Sequence, residues 1–223
     1  MTPTTLNEWS EAVVSAVGVV HSIPPEWRLP GSLPELSHRG WASMIEFSPD
    51  DLVVTVQAGM TIGELQAELA QAGRRLPIGG TPLPLDGWTV AEAISISPPH
   101  ADEFTLGGWR DWVLGGKLLM ADGRIVKVGS RAVKNVAGAD VQKLIVGSRG
   151  TLAVVLEVTL LVAPMRDPTP LPILGGDLPW YIQRVSLTDG PALGESATEV
   201  PHVFHADTGT LWARTDRELP RFA

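Results

Sequence analysis

The chain has 223 residues, a formal net charge of −8 and no cysteine, and 44% of its residues are hydrophobic. This length and hydrophobic content are enough to bury an ordinary core in one large domain or two small ones. The missing cysteines exclude disulfides, cysteine-ligated zinc, thiol catalysis and any iron–sulfur cluster held by this chain alone. The acidic balance, without any run of Lys or Arg, argues against a nucleic-acid partner.

The hydropathy pattern also bears on location. No stretch reaches the roughly 18 consecutive apolar residues that a membrane-spanning helix needs. The N-terminus is polar and lacks the basic-then-apolar order of a secretory signal. We therefore expect no transmembrane segment and a cytoplasmic location. An anionic cofactor is compatible with the net charge, because backbone amides in glycine-rich turns can hold a pyrophosphate and the chain has 23 glycines.

The N-terminal part of the chain predicts a short helix, a loop and two strands. Apolar residues at helical spacing, among them Trp9, predict a helix within residues 7–19. Residues 21–39 contain four prolines and a Pro-Gly pair, which is typical of a loop. The strands are predicted at residues 42–47 and 52–58, the second with β-branched residues in alternation.

The strongest helix prediction follows these strands. Thr61 is a candidate N-cap, Glu64 completes a capping box, and Gly73 is placed to end the helix. Further along, the patterns predict a helix, a hairpin with an Asp-Gly turn, a short helix and a long β-branched strand, at residues 89–96, 112–128, 141–146 and 153–162.

After Ala163 the composition changes. Residues 164–176 contain four prolines, and two further strands are expected in the tail, at residues 180–187 and 210–215. We therefore divide the chain into a small N-terminal lobe, a main lobe, and a proline-rich link with a short tail, at residues 1–39, 40–163 and 164–223.

Three segments carry motifs that point to a bound ligand. Residues 52–78 give a strand, an Ala-Gly turn, a helix and a Leu-Pro pair, and residues 107–129 give Arg-Asp, Val-Leu-Gly and an Asp-Gly hairpin. Residues 133–160 combine Lys-Asn-Val-Ala-Gly with a Gly-Ser-x-Gly-Thr turn. Glycines let the backbone approach a flat or charged ligand closely, and we expect free amides beside Ser148 and Thr151 to donate to it.

Together, from about residue 41 to residue 163, these segments resemble the FAD-binding subunit of bacterial glycolate oxidase, in the vanillyl-alcohol-oxidase superfamily of PCMH-type flavoproteins. The resemblance implies an α+β, PCMH-type FAD-binding fold of two lobes with a rudimentary C-terminal cap. It implies FAD as cofactor and identifies neither a metal site nor a catalytic residue. The implied FAD contacts are Pro77, Gly79, Arg110, Asp111, Val136, Ala137, Gly138, Asp140, Gly147, Ser148, Gly150, Thr151 and Val155.

Several of these residues also have a purely structural interpretation. Single glycines are most often turn formers, and Asp140 could cap the helix that follows it. Arg110 and Asp111 could form an exposed ion pair of little energetic value. The neighbouring Trp109 and Trp112 are expected in the core or an interface rather than on a ligand.

Two segments depart from the family's pattern. Relatives carry a glycine-rich pyrophosphate loop where residues 23–33 read IPPEWRLPGSL, and Pro24, Pro25 and Pro30 have no amide hydrogen to donate. Relatives place a Thr-x-Gly-Gly turn where this chain has TVAEAI. There Glu92 adds a negative charge, which weakens pyrophosphate binding unless the side chain points away.

The resemblance implies the FAD-binding subunit of a glycolate oxidase-like 2-hydroxy-acid oxidoreductase. Its expected partners are a second flavin subunit and an iron–sulfur subunit, and the short tail predicts that the chain is inactive alone. The alternative, favoured by the prolines and by Glu92, is a flavin-free scaffold or regulatory subunit that keeps the fold. A self-sufficient oxidase is a third interpretation, against which the missing cap argues.

Overall fold

A computed structural model describes residues 2–15, 36–79, 81, 83–100, 102–131, 140–165, 180–184, 202–205 and 210–214. The chain forms two compact units, Met1–Asp167 and Pro168–Ala223. The predicted boundaries at residues 39 and 163 stay a prediction. Among the described helices, none has the length and apolar character needed to cross a bilayer.

The first unit is built on a five-stranded antiparallel sheet in the order β1-β2-β6-β4-β5. The central strand β6 is buried along nearly its whole length, which suits its run of Val and Leu. The five strands are β1 (Met44–Ser48), β2 (Val53–Gln57), β4 (Val113–Leu119), β5 (Ile125–Gly129) and β6 (Val154–Leu161). A separate two-stranded pair joins β3 (Arg74–Arg75) to β7 (Ala163–Pro164).

One face of the sheet carries the main core. Val54, Val56 and Val158 turn to this face and pack with buried residues of the helices, such as Leu65 and Ile94. Because side chains alternate along a strand, Thr55 and Thr159 turn to the other face. The helices that follow β2 in the chain are α2 (Ile62–Gln71), α3 (Val90–Ile96), α4 (Glu103–Leu106) and α5 (Trp109–Trp112).

The N-terminal helix α1 (Leu6–Ser15) belongs to a second apolar cluster. Its residues Trp9 and Val13 cluster with Leu119, Val154 and Leu156 of strands β4 and β6. Val154 and Leu156 flank Val155, which belongs to the main core, so the two clusters lie on opposite faces of the sheet.

The second unit contains a three-stranded antiparallel sheet in the order β8-β10-β9. Its strands are β8 (Trp180–Arg184), β9 (His202–His205) and β10 (Thr210–Arg214). Two of these strands were expected, and β9 was not, because four residues with His at both ends give little strand signal.

The α+β class and most predicted elements are confirmed. The capping box of α2 is present, since the Thr61 side chain accepts from the Glu64 amide and the Glu64 carboxylate accepts from the Thr61 amide. Gly73 follows the helix in the left-handed conformation expected of a C-terminal glycine. The helix predicted over residues 141–146 is a shorter 3₁₀ helix, Val141–Leu144.

Two short helices, α4 and α5, were not anticipated. Trp109 and Trp112 of α5 are buried against each other, with ring centroids 5.7 Å apart, and belong to the main core. Their indole nitrogens donate to the carbonyls of Pro98 and Leu106. The interpretation of these tryptophans as core residues is therefore confirmed.

Candidate functional site

The start of helix α3 is closed by its own side chains. Thr89 is the N-cap, its hydroxyl accepts from the Glu92 amide at 3.2 Å, and the Glu92 carboxylate accepts from the Thr89 amide at 2.7 Å. Glu92 is buried, so this carboxylate lies against the helix end and faces its own backbone. A negative charge at the positive end of a helix is the favourable place for it.

The other amides at this helix start are also used. Val90 donates to the Met60 carbonyl at 2.9 Å, and Ala91 donates to the Ala58 carbonyl at 2.8 Å. The first four amide groups from Thr89 onward therefore all have acceptors within the chain. This turn, where the family's pattern has glycines, offers no amide to a pyrophosphate.

The end of α3 contacts the Gly-Ser-x-Gly-Thr turn. The Gly147 amide donates to the Ile94 carbonyl at 2.9 Å, and the Arg149 amide donates to the Ser95 carbonyl at 2.8 Å. Two of the last carbonyls of the helix are thus satisfied by the turn. Gly147 is exposed with a φ of +73°, and among the described residues an added Cβ would meet the Ser97 Cβ alone, at 3.8 Å. No other described residue covers the surface above Gly147.

Hydrogen bonds within this turn join its own backbone and side-chain groups. The Ser148 amide donates to the Ile145 carbonyl at 3.2 Å, and both the amide and the hydroxyl of Thr151 donate to the Ser148 carbonyl. The amides of Ser148 and Thr151 themselves are therefore not free, because they hold the turn closed, and the expectation of free amides beside these two residues stays a prediction. Gly150 is buried at a φ of +69°, where a side chain would be strained.

Pro77 and Gly79 lie beside a buried ion pair. Arg75 and Asp102 are both buried and are joined by a short contact between Nη1 and Oδ2. The Asp102 carboxylate also accepts from the Gly79 amide at 2.7 Å and fills the space that a side chain at residue 79 would need. Pro77 is buried and Gly79 is half-buried, so only Gly79 presents part of its backbone outward.

Arg110 and Asp111 are exposed and bond to backbone groups. Arg110 donates through Nε to the Lys143 carbonyl at 3.2 Å, which ties α5 to the 3₁₀ helix. Asp111 accepts from the Gly108 amide at 2.9 Å and caps α5. The structure brings Arg110 to the segment that leads into the Gly147 turn.

Asp140 lies at the start of the 3₁₀ helix and is exposed. Hydrogen bonds from the side chains of Gln142 and then Lys143, together with the positive charge of Lys143, hold the pKa of Asp140 below its usual range. Asp140 is therefore ionised at neutral pH and orients the buried Gln142, whose Nε2 donates to it at 3.1 Å.

Val155 is fully buried on β6 and belongs to the main core, where it is opposite Leu118. Its role in the described structure is packing. Val136, Ala137 and Gly138 lie outside the described residues, as do Pro24, Pro25 and Pro30 of the proline-rich loop. FAD contacts at all the predicted positions stay a prediction.

Two buried polar atoms beside the turn have no hydrogen-bond partner among the described residues. They are Ser95 Oγ, on the helix whose last carbonyls hold the turn, and Gln142 Oε1, in the 3₁₀ helix that leads into it. A buried polar atom without a partner is costly, which is a reason to expect a ligand or water there. Sequence reasoning missed Ser95, because a serine in an apolar helix carries no motif.

FAD is a dianionic dinucleotide with hydroxyls and a flat ring, and these features decide the fit. The end of α3 and the Gly147 turn suit it, because Gly147 is exposed and the two elements that adjoin the turn each hold a buried polar atom without a partner among the described residues. The start of α3 does not suit the phosphates, because its amides are all bonded within the chain. The described residues therefore fit FAD at one end of α3 only.

Comparison with known proteins identifies relatives over about half of this chain. The glycolate oxidase subunit GlcE of Escherichia coli is 32% identical over 144 residues, covering 57% of this chain and 35% of that protein. The D-lactate dehydrogenase of Archaeoglobus fulgidus is 34% identical over 131 residues, covering 58% of this chain and 29% of that protein. The chain thus spans about a third of the length of these relatives.

Among solved structures, alkyldihydroxyacetonephosphate synthase is similar with a TM-score of 0.60 and 15% identity, over 89% of this chain and 36% of that one. This likeness supports the PCMH-type fold. The sequence family described as FAD binding domain matches residues 12–129, which is more than half of the chain. The chain belongs to this FAD-binding domain family, and FAD is its cofactor.

Proposed function

We propose that this chain is the FAD-binding subunit of a flavin oxidoreductase that acts on 2-hydroxy acids, of the glycolate oxidase type. The observation that carries the proposal is the FAD-binding family match together with relatives named glycolate oxidase subunit and D-lactate dehydrogenase. Both of these relatives are named for a 2-hydroxy acid. A cytoplasmic location, and a second flavin subunit and an iron–sulfur subunit as partners, belong to the same proposal.

When bound, FAD supplies the two-electron acceptor for oxidation of the hydroxyl-bearing carbon to a 2-oxo acid. The chain's own part is to bind and orient that group. In this proposal Gly147 gives the flat open surface, while Ser95 and Gln142 provide hydrogen-bonding groups beside it. The bonds from the turn to α3 keep this surface in place before the cofactor arrives, which lowers the ordering cost of binding.

The closed start of α3 favours the alternative, a flavin-free scaffold or regulatory subunit with the same fold. Glu92 occupies the place where a phosphate would gain most from the helix amides. In a scaffold, this carboxylate would be a stabilising cap and nothing more. The alternative differs from the main proposal in one measurable property, the affinity for FAD.

The first experiment is a titration of FAD with the purified full chain, followed by flavin fluorescence and the visible absorption spectrum. The main proposal expects saturable binding that perturbs the flavin spectrum, weaker than in relatives with a glycine-rich loop. Replacing Pro24, Pro25 and Pro30 with glycine is expected to tighten binding, because it adds amide donors. Absence of binding by both proteins would support the scaffold.

The second experiment concerns the substrate. We expect the isolated chain not to oxidise glycolate or D-lactate with an artificial electron acceptor, and the assembled complex to do so. Anaerobic mixing of the complex with each acid, with bleaching of the flavin absorbance as the readout, identifies the substrate class. Turnover by the isolated, sequence-verified chain would contradict the subunit role, and bleaching by neither acid would contradict the substrate class.

A further inference from the structure

The back of the five-stranded sheet holds a polar cleft that the proposed function does not use. Its volume is about 490 Å³, a size suited to a small organic molecule. It lies on the face of Thr55 and Thr159, opposite to the face that packs against α2 and α3. The lining residues are Glu46, Thr55, Gly115, Gly116, Lys117, Lys127, Val128, Gly129, Ser130, Arg131, Glu157 and Thr159.

The strand register fixes the floor of the cleft. One row of directly paired residues crosses the whole sheet, from Glu46 through Thr55, Thr159 and Gly115 to Gly129. The hydroxyls of Thr55 and Thr159 are 2.9 Å apart and share a hydrogen bond. The row ends in two glycines, and neighbouring backbone occupies the places where their side chains would be: an added Cβ would meet the Val128 carbonyl oxygen at Gly115 and the Leu114 carbonyl oxygen at Gly129.

A second row forms the cationic side of the cleft. Here Glu157 is paired with Lys117, and Lys117 is paired with Lys127 on the next strand. Lys117 Nζ is 2.9 Å from the Glu157 carboxylate. Lys127 therefore lies directly opposite another lysine on the same sheet face, an arrangement that destabilises a sheet unless an anion is present.

The charges of the lining favour an anion. Both carboxylates are already paired, Glu157 with Lys117 and Glu46 with Arg131. Within the described part of the chain, Lys127 has no acidic partner. The cleft thus contains three cations and two carboxylates, which is an excess of one positive charge. The chain as a whole has a net charge of −8, so the cleft differs in sign from the rest of the molecule.

We propose that this cleft binds a small oxyanion, a carboxylate or a phosphate group, between the ammonium groups of Lys117 and Lys127, with the threonine hydroxyls of the floor as further partners. Charge-assisted hydrogen bonds to an ammonium group are about twice as strong as neutral ones, which gives Lys127 the largest share of the affinity. The site is distinct from the candidate cofactor site, because the two lie on opposite faces of the sheet.

The test compares the full chain with Lys127→Thr, using inorganic phosphate and acetate as probes in isothermal titration and thermal unfolding, at ionic strength balanced with sodium chloride. In the parent, at least one probe is expected to bind and raise the Tm. Lys127→Thr is expected to weaken that binding by about fivefold or more. Without either probe, the same variant is expected to unfold at a slightly higher temperature, because the lysine–lysine repulsion is gone.

Arg124→Thr is the matched control. It removes one cation from the same hairpin, but Arg124 pairs with Asp122 at 2.6 Å and does not line the cleft. Probe binding by this variant is expected to equal that of the parent. The proposal is overturned if neither probe binds the parent beyond the sodium chloride control, if Lys127→Thr binds as well as the parent, or if Arg124→Thr loses binding equally. Comparison of the two probe arms decides between phosphate and carboxylate.

Discussion

The two ends of helix α3 present opposite surfaces to a ligand. At its start, Thr89 and Glu92 bond each other's amides, and the two amides between them donate to the carbonyls of Ala58 and Met60. At its end, amides of the turn that contains Gly147 donate to two helix carbonyls, Gly147 is exposed, and the buried Ser95 hydroxyl of the helix has no partner in the described part of the chain. The start of α3 therefore offers no free amide to a ligand, whereas the turn at its end has an exposed glycine.

This difference bears on which end of the helix can hold a phosphate. Amides at a helix start attract phosphates only while nothing else accepts from them. At the start of α3 the Glu92 carboxylate takes that place, so we expect the helix start to contribute to stability and the other end to contribute to FAD binding. We expect substitutions at the start of α3 to change stability and substitutions at its end to change FAD affinity.

The largest effect on binding is expected at Gly147. Gly147→Val introduces a β-branched side chain at a positive φ and into the open surface, and FAD affinity is expected to fall by about tenfold or more in a fluorescence titration. Gly73→Val is the matched control, because Gly73 has a φ of +66° and open space around it, far along the chain from the turn. Equal FAD affinity in the two variants would show that the surface at Gly147 does not contact FAD.

The largest effect on stability is expected at the closed end. Glu92→Ala removes a buried capping carboxylate and is expected to lower the free energy of unfolding by about 1–2 kcal/mol in urea denaturation. FAD affinity is expected to stay within about twofold of the parent, because the amides of Val90 and Ala91 at the α3 start keep their acceptors within the chain.

Glu64→Ala is the matched control for that variant. It removes the same capping box from α2, where the carboxylate is exposed, and is expected to cost about half as much stability. A rise of tenfold or more in FAD affinity on Glu92→Ala, absent in Glu64→Ala, would show that the glutamate blocks a phosphate site at the α3 start.

A smaller effect is expected at Ser95. Ser95→Ala deletes one hydroxyl that has no partner among the described residues, so the free energy of unfolding of the protein without FAD should stay equal or rise slightly. FAD affinity is expected to fall by about threefold to tenfold, as for a lost hydrogen bond. A lower free energy of unfolding with unchanged FAD affinity would show that the hydroxyl contributes to folding and not to FAD binding.

The smallest effect concerns pH. The backbone amide and the hydroxyl of Thr61 hold the pKa of Glu64 below its usual range, and the charge of Arg39 adds to this. Because the folded pKa is depressed, the stabilisation is present above the unfolded pKa and is lost as pH falls through the folded pKa. When the free energy of unfolding is measured as the pH is lowered, the parent should lose this stabilisation and Glu64→Gln should not. An equal loss in the two proteins would contradict the role given to Glu64.

The sequence predicted what local patterns and a familiar motif can specify. The capping-box pattern of Thr61 and Glu64 correctly predicted the start of α2. Trp109 and Trp112 are buried, as their interpretation as core residues expected. Thr89 and Glu92 repeat the capping-box pattern of Thr61 and Glu64, a signal that sequence reasoning missed. The acceptors of the Val90 and Ala91 amides could not be predicted, because only the fold brings the carbonyls of Met60 and Ala58 to the helix start. The position of Lys117 opposite Lys127 likewise required the hairpin register.

The central position of β6 has a consequence for how the chain folds during synthesis. Strand β2 pairs with β6 across a separation of 104 residues between Thr55 and Thr159, and β4 pairs with β6 on its other side. Until β6 leaves the ribosome, β2 and β4 each expose an apolar strand edge with nothing to pair with, which is a hazard for aggregation. Contacts this distant in sequence close late and slow folding, so this domain should depend on chaperones more than its size suggests.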